Sequence, residues 1–316
     1  MLRECHARGL CAIDGGGSFA ANLNLKRARS LSWLRLGLAL GTVVVRAAPP
    51  DEWSAAVALY DGRHYSAARD IFQRVASSRP DDPEVNFYLG RLALWFDEEA
   101  AALRHLESAV AAAPGDARLQ NALGDAYALA ARNAPLLAKY SWAKKCLAAY
   151  DRAVALEPAN PAFRWSRVAY YQLAPRLVGG GMAKAHAEAL EMGRLEPMSG
   201  RIASATLLLA EDKPEDAFAL FEEVLRDVPD DFLALYHVGR CAALSGEHLE
   251  KGLASLQRCL ELTPPPGDGK PTRASIHYRM GNIHEKGGDR AAADREYALA
   301  KAAHSDFRPE KMALKN

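Results

Sequence analysis

Small, apolar and polar residues recur along this chain with a period of about 34 residues. The segment 83–116 shows the pattern in full, as two stretches of helical periodicity separated by a polar turn at 97–99. Counting from Pro83 as position 1, Gly90 stands at position 8, Ala102 at 20, Leu106 at 24 and Pro114 at 32. Because one helical hairpin cannot bury both of its apolar faces, the pattern predicts a stack of such hairpins.

The same frame fits seven units, which run over 49–82, 83–116, 117–160, 161–199, 198–231, 232–266 and 274–307. Position 20 is small in every unit, and position 8 is small in all except the fourth, which has Val168. We expect these small residues to let the two helices of a unit approach each other. The large residues at position 24 are expected to fill the space towards the neighbouring unit.

Helix ends are also marked in the sequence. Proline stands at position 32 of the first six units, where it cannot continue a helix. Asp82-Pro83 and Asn160-Pro161 each predict an N-cap followed by proline in the first turn, and Asp116 and Asp231 are further candidate caps. No unit alternates in the manner of a strand, so the predicted fold is all-α.

Three segments depart from the period. The third unit has about ten extra residues in 131–142, which are expected to lengthen the turn and the second helix. The fourth has extra residues in 174–181, where Gly179–Gly181 predicts a helix-joining turn, and a proline-rich link covers 264–271. Insertions into stacked repeats lie in turns, often on a functional face.

This repeat resembles the tetratricopeptide repeat over residues 49–307. The resemblance implies a right-handed superhelical solenoid of about seven helix-turn-helix units, whose first helices line a concave side. In this family, positions 2, 5, 9, 12 and 13 point into that side. The candidate partner-binding residues that follow are Trp53, Tyr60, Phe87, Arg91, Trp95, Asn121, Asp125, Trp165, Gln172, Tyr236, Arg240, Tyr278 and Asn282.

Such a groove, aromatic and polar, suits an extended peptide or an amphipathic helix, because rings supply rigid contact area and amides pair with backbone groups. The densest group is Phe87, Arg91 and Trp95, and Arg91 or Arg240 could hold a single carboxylate. The alternative is that the rings pack between successive first helices. The clamp of lysine and asparagine with which some family members hold a C-terminal carboxylate is not expected, because position 5 is mostly aromatic and only Asn282 provides asparagine at position 9.

The first 48 residues have the order of a secretory signal peptide: a basic run at 26–29, an apolar run at 36–45, and small residues Ala47 and Ala48. The apolar run is shorter than the roughly 20 residues needed to span a bilayer. We therefore expect an extension and signal peptide over 1–48, the solenoid over 49–307 and a polar tail over 308–316. Periplasmic export follows; the alternatives are an uncleaved inner-membrane anchor or a cytoplasmic protein.

Segments 174–185 and 236–252 also resemble exported bacterial tetratricopeptide repeat proteins whose role is mostly unassigned.

The distribution of charge argues against one class of partner. The first 48 residues contain seven basic and two acidic side chains, which leaves 33 basic and 37 acidic residues in the rest of the chain. A mildly acidic body argues against nucleic-acid binding, which needs a basic face.

No set of residues indicates catalysis. Cys146, Cys241 and Cys259 are expected to be buried core thiols. Residues 267–272 lack the full spacing of a phosphate loop, and His277 and His284 have no third ligand, so neither a cofactor nor a metal site is expected.

The sequence therefore predicts a non-catalytic adaptor or scaffold that binds a protein or peptide, or assembles an envelope complex, through the concave groove. The alternative is a structural protein that associates with itself as a homo-oligomer, through a first unit that starts abruptly at Pro49. An enzyme that uses the insertions is the least favoured hypothesis.

Overall fold

The computed structural model describes residues 50–265, 270–304 and 306–308. Within these ranges the chain forms fourteen α-helices and no strand, so the predicted all-α solenoid is confirmed. The helices are α1 (Pro50–Asp61), α2 (Tyr65–Ser78), α3 (Pro83–Trp95), α4 (Glu99–Ala112), α5 (Ala117–Asn133), α6 (Leu136–Leu156), α7 (Pro161–Leu173), α8 (Met182–Leu195), α9 (Pro197–Ala210), α10 (Pro214–Asp227), α11 (Phe232–Ser245), α12 (Leu249–Glu261), α13 (Arg273–Lys286) and α14 (Arg290–Ala303).

Consecutive helices form seven antiparallel pairs, one for each predicted unit. The predicted extension and signal peptide, residues 1–48, lie outside the described residues, as do residues 309–316 of the predicted tail. Within the described part, no helix is long and apolar enough to cross a membrane.

The helix starts follow the predicted caps. The Asp82 carboxylate accepts hydrogen bonds from the backbone N–H groups of Glu84 and Val85, at 2.9 and 3.2 Å. The Asn160 side chain accepts one from Ala162 N–H at 3.0 Å. Asp116 and Asp231 cap α5 and α11 in the same way. Each cap satisfies backbone donors that have no partner within the helix, which is why a new helix begins there.

The side chain at position 24 packs against the residue at position 8 of the same unit. A Cβ atom placed on Gly90 would lie 2.4 Å from Leu106 Cγ, and one placed on Gly239 would lie 2.3 Å from Leu256 Cγ. Leu106 also belongs to a buried cluster with Ala122 of the next unit, as expected. The large residue therefore fills the space between units while resting on a backbone that has no side chain.

The sizes of these two positions compensate each other along the chain. Glycine at position 8 accompanies leucine or tyrosine at 24, and alanine accompanies phenylalanine. In the fourth unit the order is reversed, because Val168 is the large residue and Ala189 is the small one, and both are buried. Dense interiors tolerate such exchanges when the total volume is kept.

The extra residues of the third unit lengthen its helices rather than its turn. α5 has 17 residues and α6 has 21, whereas α3 and α4 have 13 and 14. Only Ala134 and Pro135 separate α5 from α6, so the expected longer turn is wrong. Pro135 has no backbone N–H to continue α5 and is tolerated just before a new helix.

In the fourth unit a single 3-10 turn, Arg176–Val178, is followed by the glycine loop. Gly179 and Gly181 have φ angles of +94° and +131°, which favour glycine. A Cβ on Gly180 would lie 1.9 Å from the Ala174 carbonyl oxygen. The three glycines therefore form the predicted helix-joining turn.

The three cysteines of the described chain are buried and free, as predicted. Burial raises the pKa of Cys146, Cys241 and Cys259 to about 12 in each case, so their thiols stay protonated near neutral pH. They act as small apolar side chains of the core.

Candidate functional site: the concave cavity

The first helices of all seven units face one cavity of about 950 Å³. The rest of the wall includes residues from the segment before α13 and from the segment after α14; these are Lys270, Pro271, Thr272, His304, Phe307 and Arg308. Ten of the thirteen candidate residues line it: Tyr60, Phe87, Arg91, Trp95, Asn121, Asp125, Trp165, Gln172, Tyr236 and Arg240.

Trp53, Tyr278 and Asn282 lie outside the cavity wall. The Trp53 ring packs edge-on against Phe72 and Tyr88, with centroids 5.5 and 5.6 Å apart. Tyr278 packs against Tyr297 and Phe307, and Asn282 donates a hydrogen bond to the Tyr297 hydroxyl at 2.9 Å. For these three positions the structure shows packing between elements.

The C-terminal segment 304–308 contacts the first two units and closes the array. The His304 ring lies 5.7 Å from the Tyr65 ring and 6.1 Å from the Trp95 ring, centroid to centroid. The Asp306 carboxylate accepts hydrogen bonds from the Ser66 backbone N–H and hydroxyl, at 2.9 and 2.6 Å. His304 and Asp306 therefore cover part of the first unit.

Arg308 completes this closure. Its Nη1 donates to the Trp95 carbonyl oxygen at 3.0 Å and lies 3.2 Å from the Asp97 carboxylate. Its guanidinium also lies over the Phe96 ring, 5.8 Å from the centroid. Sequence reasoning placed residues 308–316 in a polar tail and missed these contacts, because they join residues more than 200 positions apart, outside any repeat signal.

The cavity wall is strongly cationic. Among the lining residues that the structure describes, seven are basic and one, Asp125, is a carboxylate. The seven are Arg63, Arg91, Arg118, Arg240, Lys270, Arg279 and Arg308. The wall therefore differs in sign from the mildly acidic body of the chain, and it would attract an anionic ligand.

Three of these seven cations, Arg91, Arg118 and Arg308, form ion pairs with carboxylates of the described chain. Arg91 is ion-paired with Asp125, whose carboxylate also accepts a hydrogen bond from the Tyr150 hydroxyl at 2.7 Å. Arg118 pairs with Glu84 and Asp116. Arg91 is therefore already paired with a carboxylate within the chain, and its contact with a partner carboxylate stays a prediction.

The spacing of these pairs in the sequence matches the repeat. Arg91 and Asp125 are 34 residues apart, as are Glu84 and Arg118, so each pair occupies one repeat position in adjacent units. Equivalent positions on adjacent first helices are neighbours in space. Opposite charges at this spacing therefore predict an internal ion pair.

Arg240 differs from these arginines. It is partly buried in the cavity wall, and it makes no hydrogen bond or ion pair with any residue in the described ranges. Burial lowers the pKa of its guanidinium, and the nearby charge of Arg279 lowers it further. A desolvated cation beside another cation is stabilised when an anion binds between them.

His237 lies one helical turn before Cys241 on α11 and stacks on Phe221, with ring centroids 5.0 Å apart. Its Nδ1 atom is buried without a hydrogen-bond partner. Burial lowers the pKa of His237 well below its ordinary value, and the charges of Arg240, Arg279 and Lys270 add to this shift. This end of the cavity, between α11 and α13, is thus neutral at His237 and cationic around it.

This shift predicts acid sensitivity. The folded state keeps His237 neutral, whereas the unfolded chain protonates it near pH 6.5. The unfolded state therefore binds more protons, and the free energy of unfolding falls as the pH drops below about 6.5, by up to about 1.4 kcal/mol per pH unit from this group. Urea denaturation at pH 7.5, 6.5 and 5.5 measures the slope. The variant His237→Phe should show a shallower slope, and an unchanged slope would contradict the assignment.

The fold and the cavity define a repeat protein built from stacked helical hairpins around a concave face. Residues 59–135 and 202–265 match family models described as tetratricopeptide repeat. These two segments are tetratricopeptide repeats, and the other described units repeat the same helical hairpin. Proteins of this class are generally non-catalytic scaffolds that bind proteins or peptides.

Solved structures with this fold include a thermophilic tetratricopeptide repeat protein of Thermus thermophilus. It is 24% identical, with a TM-score of 0.52, and the match covers 61% of this chain and 98% of that one. A tetratricopeptide repeat protein of Parabacteroides merdae is 12% identical, with a TM-score of 0.51, covering 83% and 94% of the two chains. At these identities the likeness concerns the fold alone. No curated protein matches the chain.

Proposed function

We propose that this protein is a non-catalytic adaptor that captures an acidic segment of a protein partner in its concave cavity. The observation that carries the proposal is the cationic wall, in which Arg240 makes no contact with an anion of the described chain. Electrostatic complementarity of this kind selects partners and speeds their capture.

The rest of the wall suits a peptide. Phe87, Trp165 and Tyr236 line the cavity with aromatic rings, which supply contact area at low cost in side-chain entropy. Asn121 and Gln172 add polar amides, and the Oδ1 atom of Asn121 is buried without a hydrogen-bond partner.

The proposed pose places one partner carboxylate against Arg240, between α11 and α13, and an apolar partner side chain near Trp165. A guanidinium holds a carboxylate with two parallel hydrogen bonds, which fixes orientation as well as charge. The Arg91–Asp125 pair serves as internal bracing of adjacent units and does not contact the partner.

The test uses two fluorescein-labelled dodecapeptides, one alternating leucine with glutamate and one alternating leucine with glutamine. By fluorescence anisotropy, the glutamate peptide should bind the protein and the glutamine peptide should bind at least about tenfold more weakly, since a charged hydrogen bond contributes about 1.5–3 kcal/mol. Arg240→Gln should lose about tenfold in affinity for the glutamate peptide.

The matched control is Arg194→Gln, which removes the same charge from an exposed side chain that does not line the cavity. It should bind like the unsubstituted protein. Equal affinity of both peptides, or no effect of Arg240→Gln, would contradict the proposal.

We propose further that the protein acts outside the cytoplasm, in the periplasm or at the envelope. The support is the order of basic, apolar and small residues in 1–48. A fusion of residues 1–60 to alkaline phosphatase, an enzyme that matures only outside the cytoplasm, should be active in bacteria. An inactive fusion that accumulates in the cytoplasm would exclude export.

A further inference from the structure

A second surface lies away from the cavity, where the third and fourth units depart from the repeat. Four leucines there are exposed to an unusual degree: Leu136 by 83%, Leu137 by 92%, Leu173 by 79% and Leu177 by 76%. We call these four residues the leucine patch. The other exposed large apolar residues of the described chain are less exposed and lie on separate helices or at their ends.

The patch is built by the projecting start of α6 and the 3-10 turn. None of residues 136–145 is buried, and the first buried side chain of α6 is Cys146. Tyr140 follows Leu136 by one helical turn, and its hydroxyl donates a hydrogen bond to the Leu177 carbonyl oxygen at 3.0 Å. This bond holds the turn that carries Leu177 against the projecting part of α6.

The segments of the chain that contain the four leucines have several basic residues and no carboxylate. Residues 126–150 and 158–187 contain no aspartate or glutamate. Six exposed basic side chains lie in these segments, and one of them, Arg132, is ion-paired with Asp97. The other five form no ion pair with a residue of the described chain; they are Lys139, Lys144, Lys145, Arg176 and Lys184. Lys144 lies over the Tyr140 ring, 4.6 Å from its centroid.

Aromatic rings contact two of the lysines of this surface. Lys145 lies over the Trp142 ring at 4.5 Å, and Trp142 stacks on Tyr127 with centroids 5.7 Å apart. Exposed leucines, tyrosine and tryptophan rings, and lysines are the residue types with which interfacial proteins contact acyl chains, the membrane interface and lipid headgroups.

We propose that the leucine patch docks this protein on an anionic lipid bilayer. The leucines enter the upper acyl region, while the five cations contact lipid phosphates, each adding attraction near a negatively charged surface. A protein partner is less well matched, because side chains exposed by 76–92% project outward and form no groove. The proposal is independent of the cavity.

The probes are unilamellar vesicles of phosphatidylcholine, alone or with one quarter phosphatidylglycerol, and the protein is the full chain. In flotation assays, binding to the anionic vesicles should exceed binding to the neutral vesicles at least tenfold, and it should weaken with salt. The double variant Leu136→Ser with Leu137→Ser should bind the anionic vesicles at least tenfold more weakly.

Two controls separate docking from general effects. Leu190→Ser with Leu299→Ser removes exposed leucines of other helices, and it should leave vesicle binding unchanged. Lys139→Gln with Lys144→Gln should reduce binding to the anionic vesicles only. Circular dichroism should show all variants to be folded, since the replaced side chains are exposed.

Three results would overturn the proposal. The first is equal binding of the anionic vesicles by the leucine-patch variant and the unsubstituted chain. The second is equal binding to neutral and anionic vesicles. The third is the absence of vesicle binding together with a change of oligomeric state in the leucine-patch variant, which would assign the patch to contact between protein chains.

Discussion

Gly90→Leu is expected to lower the free energy of unfolding by about 3 kcal/mol, at the upper end of the range for overpacking a dense core. Even the first added carbon would lie 2.4 Å from Leu106 Cγ and 2.8 Å from its Cδ2. Leu106 is completely buried and also contacts the next unit, so it has no free space into which it can move. Urea denaturation followed by circular dichroism measures the change.

The control is Gly115→Leu, because a Cβ at Gly115 meets no atom within 4 Å. That variant should change the free energy of unfolding by less than about 0.5 kcal/mol, as surface substitutions usually do. A loss at Gly115 equal to that at Gly90 would show that backbone propensity, and not the contact with Leu106, is the cause.

A compensating variant makes the test specific. Leu106→Ala alone should destabilise by about 2–5 kcal/mol through the cavity that it leaves. Combined with Gly90→Leu, it should recover at least about 1 kcal/mol relative to the sum of the single effects. The Val168–Ala189 pair of the fourth unit already has this reversed arrangement. Simple additivity of the two substitutions would contradict the proposed contact.

The helices and their boundaries could be predicted because their causes are local. Asp82 before Pro83 specifies a cap and a helix start within three residues, and the structure begins α3 at Pro83. Position 20 is small in all seven units and position 8 in six of them, so one template reveals the rest. What they contact required the structure, since Leu106 is sixteen positions from the glycine on which it rests.

The cavity was predictable in part. The repeat positions identified ten lining residues, including Trp165 and Arg240, because first helices face the same side in every unit. Whether a charged side chain has an ion-pair partner could not be predicted from its own unit alone. Arg91 and Arg240 have the same repeat position, but only Arg91 has an acid, Asp125, at the same position in the following unit.

The repeat period could not predict the leucine patch or the C-terminal closure, for different reasons. The patch lies in inserted residues, for which the template gives no register. The closure depends on the accumulated rotation of seven units, which brings His304 to Tyr65 and Arg308 to Trp95. A small rotation per unit, summed along a solenoid, sets its shape, and no single unit encodes the sum.

Removal of residues 304–316 is expected to open this closed array and to lower the free energy of unfolding by about 3 kcal/mol. The estimate combines one charged hydrogen bond, from Arg308 to the Trp95 carbonyl, with the ring contacts of His304. The truncation also exposes Tyr65, which is 3% exposed in the closed form. Small-angle X-ray scattering should show a larger radius of gyration.

The matched control is removal of residues 309–316 alone, which keeps His304, Asp306 and Arg308 in place. It should leave the radius of gyration and the urea midpoint unchanged, whereas the longer truncation changes both. The longer truncation should also shift tryptophan emission to longer wavelength, because Trp95 loses its stacking partner. If both truncations have the same dimensions as the full chain, the closure does not hold the array together, and the cavity is shaped by helix packing alone.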